Sequence, residues 1–212
     1  MQTDPDITIR SDASKEGWGA ELNNKRTGGR WLPDETILHI NELELLAILF
    51  ALKSLCNDVK KTHIRVESDN TTAVCYVKNM GGGGSNSRPC SNIARQIWMW
   101  ALEYDNWITT AHLPGKDNTV ADRESRLFND RTEWQLNTAI FSKINNLWGP
   151  LELDLFASRL NRQLDKYVAW RPDPEATYID AFSLSWTDKS IYVFPPFSLR
   201  SEERRVGKEC RL

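Results

Sequence analysis

The chain lacks an apolar run approaching the about 20 residues that a membrane-spanning helix needs. Its N-terminus also lacks the basic-then-apolar layout of a secretory signal, so an intracellular setting with no membrane attachment is expected. Cysteine is scarce: Cys56, Cys75, Cys90 and Cys210 include no C-x-x-C pair, and only three histidines accompany them. That spacing argues against a zinc cage or a disulfide framework and leaves free thiols. An excess of positive charge is missing too, with 27 Lys plus Arg against 29 Asp plus Glu, a formal net of −2. Proteins that hold nucleic acid by bulk electrostatics carry the opposite balance. Any such contact here must use a local patch, bound metal or a neighbouring domain. No internal repeat is present, and 212 residues allow one full core, or one domain plus a partial second.

Arg200 to Arg211 reads RSEERRVGKECR, an abrupt switch to a dense charged tract. Its plain reading is a solvated tail. Its sharper reading is a translated sequencing-library adapter, which would make residues 200–212 non-native and the true C-terminus missing. Setting aside its five basic and three acidic residues moves the net charge from −2 to −4.

What is present is periodic. Ile7 to Arg10 alternates as a half-buried strand does and runs into Ser11-Asp12. Gly17 to Leu22 reads as a second strand, unusually small on one side. Asn23-Asn24-Lys25 reads as a hairpin turn and Thr27 to Trp31 as a third strand. Ile40, Leu43, Leu46, Ala47, Phe50, Ala51 and Leu55 recur at helical spacing, and Asn41 and Glu42 suit the first turn. His63 to Ser68 alternates again, ahead of a short helix through Tyr76 and Val77. Gly81 to Pro89 reads as a flexible loop, Ile93 to Ala101 as a third helix, Trp107 to Ala111 as a strand and Thr119 to Arg126 as a final helix. This order predicts a mixed-sheet α/β domain over residues 1–127.

Two strand ends share one signature, Ser11-Asp12-Ala13-Ser14 and Ser68-Asp69-Asn70. If the strands are neighbours, both carboxylates emerge at one sheet edge. An acid from the intervening helix then completes an oxygen site for hard divalent cations. Glu42 and Glu44 both compete for that place; two residues apart, they point about 200° apart, so at most one faces the edge. Asp122 is a fourth candidate. Singly, each acid has a bland reading as a turn residue, helix cap or surface charge.

The ordered strings Ser11-Asp-Ala-Ser, Gly17-Trp-Gly-Ala, Glu44-Leu-x-Ala-x-x-x-Ala-Leu, Glu67-Ser-Asp-Asn and Pro114-Gly-Lys-x-Asn-x-x-Ala-Asp-x-x-Ser-Arg are similar to retroelement ribonuclease H, most of all that of DIRS-type tyrosine-recombinase retrotransposons. The resemblance covers roughly Ile7 to Arg126. It implies a ribonuclease H-like five-stranded mixed sheet with helices on both faces. It selects Glu44 over Glu42, because the family's helix acid stands directly before Leu-x-Ala. Asp12, Glu44, Asp69 and Asp122 then match its four carboxylates, with Asp12 as the bridging ligand. They would hold two magnesium ions (or manganese) across the scissile phosphate of an RNA–DNA hybrid. The implied partner is the reverse transcriptase domain of the same polyprotein. His112 has two readings: a strand-end residue packing locally, or the counterpart of a loop histidine that aids proton transfer or product release in several relatives.

Hybrid recognition needs contacts to 2′-hydroxyls and backbone rather than base sequence. Gly17 and Gly19 would allow close approach of a strand. Asn70 and Thr71 begin a helix that suits a phosphate, Arg88 and Arg95 could supply charge, and so could Lys78 and Lys116. Asn118, in the Pro-Gly-Lys string, is a further substrate-side candidate. Trp98 and Trp100 read as core before they read as stacking platforms.

Beyond residue 127, Trp134 to Leu147 reads as an amphipathic spacer within a 128–148 linker. Leu151 to Ser158, Asn161, Asp180-Ala181, Trp186 and Tyr192 to Phe197 are similar to the adenine-methyltransferase-like region that follows the nuclease in DIRS-type elements. Such enzymes use Asp/Asn-Pro-Pro-aromatic to grip an amino group. Phe194 stands at the polar position here, and residues 149–199 are too few for a methyltransferase core. The expectation is a truncated, partial α/β segment without methyl transfer. Three functions compete for the chain: an active hybrid-specific endonuclease, an inactive nucleic-acid-binding module kept as an element remnant, and an integrase-like nuclease. The Glu-Leu-x-Ala helix between the two strand acids argues against the last.

Overall fold

A computed structural model describes residues 4–81, 87–128, 134–187 and 189–196; the charged tract from Arg200 to Arg211 lies outside them. The chain forms two compact units, Met1–Phe128 and Asn129–Leu212.

In the first unit, β1 (Ile7–Ala13), β2 (Gly17–Leu22) and β3 (Lys25–Arg30) form an antiparallel meander. β4 (His63–Ser68) pairs parallel with β1, and β5 (Trp107–His112) parallel with β4, giving the order β3-β2-β1-β4-β5. Four helices intervene or follow: α1 (Ile40–Leu55), α2 (Thr71–Lys78), α3 (Arg88–Glu103) and α4 (Thr119–Arg126). Strand order and direction make this the ribonuclease H-like sheet that the resemblance implied. β3 begins two residues earlier than periodicity suggested, because the turn uses only Asn23 and Asn24; Asn23 takes φ 54°, a left-handed conformation that asparagine tolerates.

Alternation along β1 assigns each face its cover. Ile9, Ser11 and Ala13 pair with Leu22, Ala20 and Trp18 on one face, where Trp18 meets Phe50 of α1 edge-on with ring centroids 5.5 Å apart. There Leu43, Ala47, Ile48 and Leu52 of α1 join Ile64, Val66, Val77, Ile97 and Ala101 in one core. The opposite face holds a row across three strands, Asp12, then Gly19, then Gly28, and α4 lies on it. A β-carbon added at Gly19 would fall 2.5 Å from the Ser125 amide nitrogen, and one at Gly28 would fall 2.8 Å from the Glu124 carbonyl. The two missing side chains therefore form the trough that seats the helix.

α1 starts with a reciprocal cap. The His39 ring accepts from the Asn41 amide at 3.2 Å, and Glu42 Oε2 accepts from the His39 amide at 2.9 Å. Asn70 caps α2 by accepting from the Ala73 amide at 2.9 Å. Ser87 caps α3, whose first turn takes Pro89 where no helical N–H is needed.

The second unit is built differently. α5 (Thr138–Trp148) starts four residues later than the amphipathic pattern suggested, since Asn137 caps it through the Ala139 amide. Its Phe141 packs edge-on against Tyr192 at 4.9 Å, so the helix belongs to this unit's own packing. Strand pairing is reduced to two-residue pieces: β6 (Leu153–Asp154) runs parallel to β9 (Ile191–Tyr192), and β7 (Val168–Ala169) parallel to β8 (Tyr178–Ile179). Leu153, Leu155, Val168 and Ala181 form a small core beside Phe156 and Trp186. Buried polar groups hold the loops, with Asp154 Oδ2 accepting from the Gln163 amide at 2.9 Å and the Tyr167 hydroxyl donating to Asp173 at 2.6 Å. Burial pushes the Asp154 carboxyl up to about 6. Phe194, at the position where the resemblance calls for a polar residue that grips an amino group, stacks on Tyr192.

Candidate metal centre

β1 and β4 run parallel side by side, so Asp12, near the end of β1, and Asp69, directly after β4, emerge at the same sheet edge. The second turn of α1 brings Glu44 to them. One carboxylate oxygen from each of the three lies within 4.8 Å of the others. Asp12 is 4 % exposed and Glu44 5 %. Burial drives the Glu44 carboxyl up to about 9, with the charges of Asp12 and Asp69 adding to the effect and a bond from the Ala13 amide opposing it. Asp12 is also raised, first by burial, against a lowering bond from Ser125; Asp69 and Asp122 push it up and Arg126 pulls it down. Glu44 Oε2 is buried with no hydrogen-bond partner.

Three crowded acids, two of them buried, with an unpartnered oxygen aimed among them, form a costly arrangement for a protein to hold by itself. A hard divalent cation answers each part of that cost, as charge, as coordination and as relief of repulsion, so the donor set is compatible with such a cation.

Glu42 takes no part in the trio because the His39 cap occupies its carboxylate. Asp122 stands outside the 4.8 Å group; its side chain is 45 % exposed and accepts from Arg126 Nε at 2.7 Å, though it is near enough to raise Asp12. His112 is exposed as the last residue of β5, in register with Ser68, the residue before Asp69. Gly115, in the following loop, lies against Asp69: a β-carbon there would come 2.9 Å from its Oδ2.

The substrate-side candidates fare differently. Asn70 and Thr71 open α2 immediately after Asp69, and Asn70 Nδ2 donates to Asn41 Oδ1 at 3.1 Å, linking the starts of α1 and α2. Arg88 and Arg95 are exposed on α3, seven residues apart and hence on one helix face. Gly17 and Gly19 are buried: Phe128 and the Gly29 carbonyl close over the first and α4 over the second, so their small size admits this chain's own atoms rather than a nucleic-acid strand. Asn118 is 1 % exposed, and its Nδ2 donates to the Ser11 carbonyl at 3.0 Å, which makes it an anchor of α4. Trp98 donates from Nε1 to the Val77 carbonyl and Trp100 is buried, both as packing residues.

One contact at the site had no reading in the sequence. Ser125, fully buried on α4, places its Oγ 2.7 Å from Asp12 Oδ2. Its only trace in the sequence is the string Asp122-x-x-Ser-Arg, which sets it one helical turn beyond Asp122.

No family model matches the chain, and no curated protein matches it either. Among solved structures it is similar to RNase H1 from the halophilic archaeon Halobacterium salinarum, at 16% identity over 56% of this chain and 92% of that one, TM-score 0.43. It is similar to LC11-RNase H1, solved in complex with an RNA/DNA hybrid, at 18% identity over 56% of this chain and 92% of that one, TM-score 0.46. The protease-reverse transcriptase of Prototype Foamy Virus is similar at 16% identity over 61% of this chain and 19% of that one, TM-score 0.35.

Proposed function

We propose that this chain is a metal-dependent ribonuclease H that hydrolyses the RNA strand of RNA–DNA hybrids as part of a retrotransposon reverse-transcription polyprotein. The observation that carries the reading is the meeting of Asp12, Glu44 and Asp69. They come from three distant stretches of chain and reach one sheet edge with a buried oxygen left unpartnered. Asp12, Glu44 and Asp69 would hold divalent ions, with Asp122 joining from α4. Such ions would supply Lewis acidity at the phosphate and lower the pKa of bound water.

The chain's own groups do the rest. His112 presents an imidazole to solvent at the end of β5, at the edge where Asp69 emerges, and that exposure supports a part for it in proton transfer or product release. The N-terminus of α2, with Asn70 and Thr71, offers amides and a hydroxyl to a backbone phosphate. Arg88 and Arg95 give α3 one basic face in a chain of net −2, which suits backbone contact more than base reading. The reverse transcriptase domain of the same polyprotein is the expected partner. No helix among the described residues is long and apolar enough to cross a membrane.

The test is cleavage of an end-labelled RNA–DNA hybrid by the full chain with magnesium or manganese, beside Asp12→Asn. Loss of RNA that requires metal and disappears in the variant is the expected result. Hybrid binding without cleavage would turn the reading to an inactive binding module.

A further inference from the structure

We propose that Ser125 is the positioning residue of Asp12: its hydroxyl fixes the plane of that carboxylate and so keeps the acid trio in the arrangement that takes a cation. The inference rests on the metal-centre reading above. Ser125 is fully buried, and its Oγ lies 2.7 Å from Asp12 Oδ2, across 113 residues of sequence. The hydroxyl has one proton and a second acceptor nearby, the Asp122 carbonyl at 2.8 Å. An ionised carboxylate is the stronger acceptor, so the proton goes to Asp12.

The serine itself is held from several directions. Its carbonyl accepts from Ser14 Oγ at 2.7 Å, and Ser14 Oγ in turn accepts from the Glu16 and Gly17 amides at 3.1 Å each. Asn118 ties the other end of α4 to the Ser11 carbonyl, one residue before Asp12. The Gly19 and Gly28 trough permits the helix to come this close.

Positioning matters here because the terminal torsion of an aspartate is broad, and the like charges of Asp69 and Asp122 press on Asp12 and favour its turning away. A donor behind the carboxylate opposes that rotation without touching the cation. Such supporting bonds typically change metal affinity about 10-fold to 100-fold. Arg126, the next residue, bonds Asp122 and does not substitute for the hydroxyl at Asp12.

The experiment titrates Mn2+ into the full chain, read by electron paramagnetic resonance, for wild type, Ser125→Ala, Ser125→Thr and Asp12→Asn, with thermal melts in EDTA. Expected is an affinity loss of about 10-fold or more for Ser125→Ala while it still melts cooperatively without metal, and near wild-type affinity for Ser125→Thr, which keeps the hydroxyl. Hybrid cleavage by Ser125→Ala should recover at raised magnesium. Wild-type affinity in Ser125→Ala, beside a loss in Asp12→Asn, overturns the positioning role and leaves the metal centre standing. A loss shared by Ser125→Thr also overturns it, since bulk rather than the hydroxyl would be at work. Absence of Mn2+ binding by the wild type overturns both readings.

Discussion

At the scale of single residues, Glu44 shows most plainly what the site costs without metal. Its carboxyl is raised from 4.5 to about 9 by burial and by Asp12 and Asp69. Between those two values the folded chain holds a proton that the unfolded chain has released. Stability is therefore fully present below about 4.5 and declines as pH climbs towards about 9. Glu44→Gln mimics the protonated form. In EDTA, urea melts should show the variant level with wild type at pH 4 and more stable at pH 8 by on the order of 5 kcal/mol. Magnesium should reverse that order, because only the wild type gains a ligand. Equal stability at both pH values would show that the carboxyl is not perturbed. The choice of Glu44 over Glu42 could not be made from spacing, which says only that the two point apart. The structure shows Glu42 spent on a cap with His39, a residue outside the strongly preferred caps and therefore silent as a helix-start signal. The string Asp122-x-x-Ser-Arg marks Ser125 but not its partner, since a bond across 113 residues leaves no local pattern.

Among the elements, α4 is the informative one. Its bounds, Thr119–Arg126, could be read from the sequence, and so could the small side of β2. That one fits into the other could not, because small residues leave open whether a nucleic-acid strand or the chain itself fills the space. A paired substitution tests the fit. Gly19→Ala drives a methyl into the Ala121 carbonyl and the Ser125 amide, both backbone and unable to give way. It should cost about 2–4 kcal/mol in urea unfolding and weaken Mn2+ binding as Asp122 and Ser125 shift. Gly29→Ala meets only Trp18 Nε1 at 3.4 Å and should stay within about 1 kcal/mol of wild type. Comparable losses at both positions would show that strand propensity, and not the helix seat, sets the cost.

At the scale of the whole molecule, the two units differ in how much a sequence can tell. The core of the first unit runs from Ile9 to Ile108, and its strands of six or seven residues are long enough for alternation to show. The second unit pairs two residues at a time and holds its loops with buried side chains such as Asp154 and Tyr167, which leave no period to read. All four acids and Ser125 lie in the first unit. Residues 1–128 alone should therefore melt cooperatively and bind Mn2+ within about 3-fold of the full chain. A fragment that melts without cooperativity would assign the second unit a part in the first unit's stability. The row Asp12, Gly19, Gly28 carries one more implication, for how tolerance to substitution should be mapped onto this chain. Gly28 would score as intolerant as an acid, though its strand contributes no carboxylate, because its value lies in volume it leaves vacant. A map that equates intolerance with chemistry would draw the reactive centre too wide, across a third strand. The outline it traced there would be the footprint of a helix.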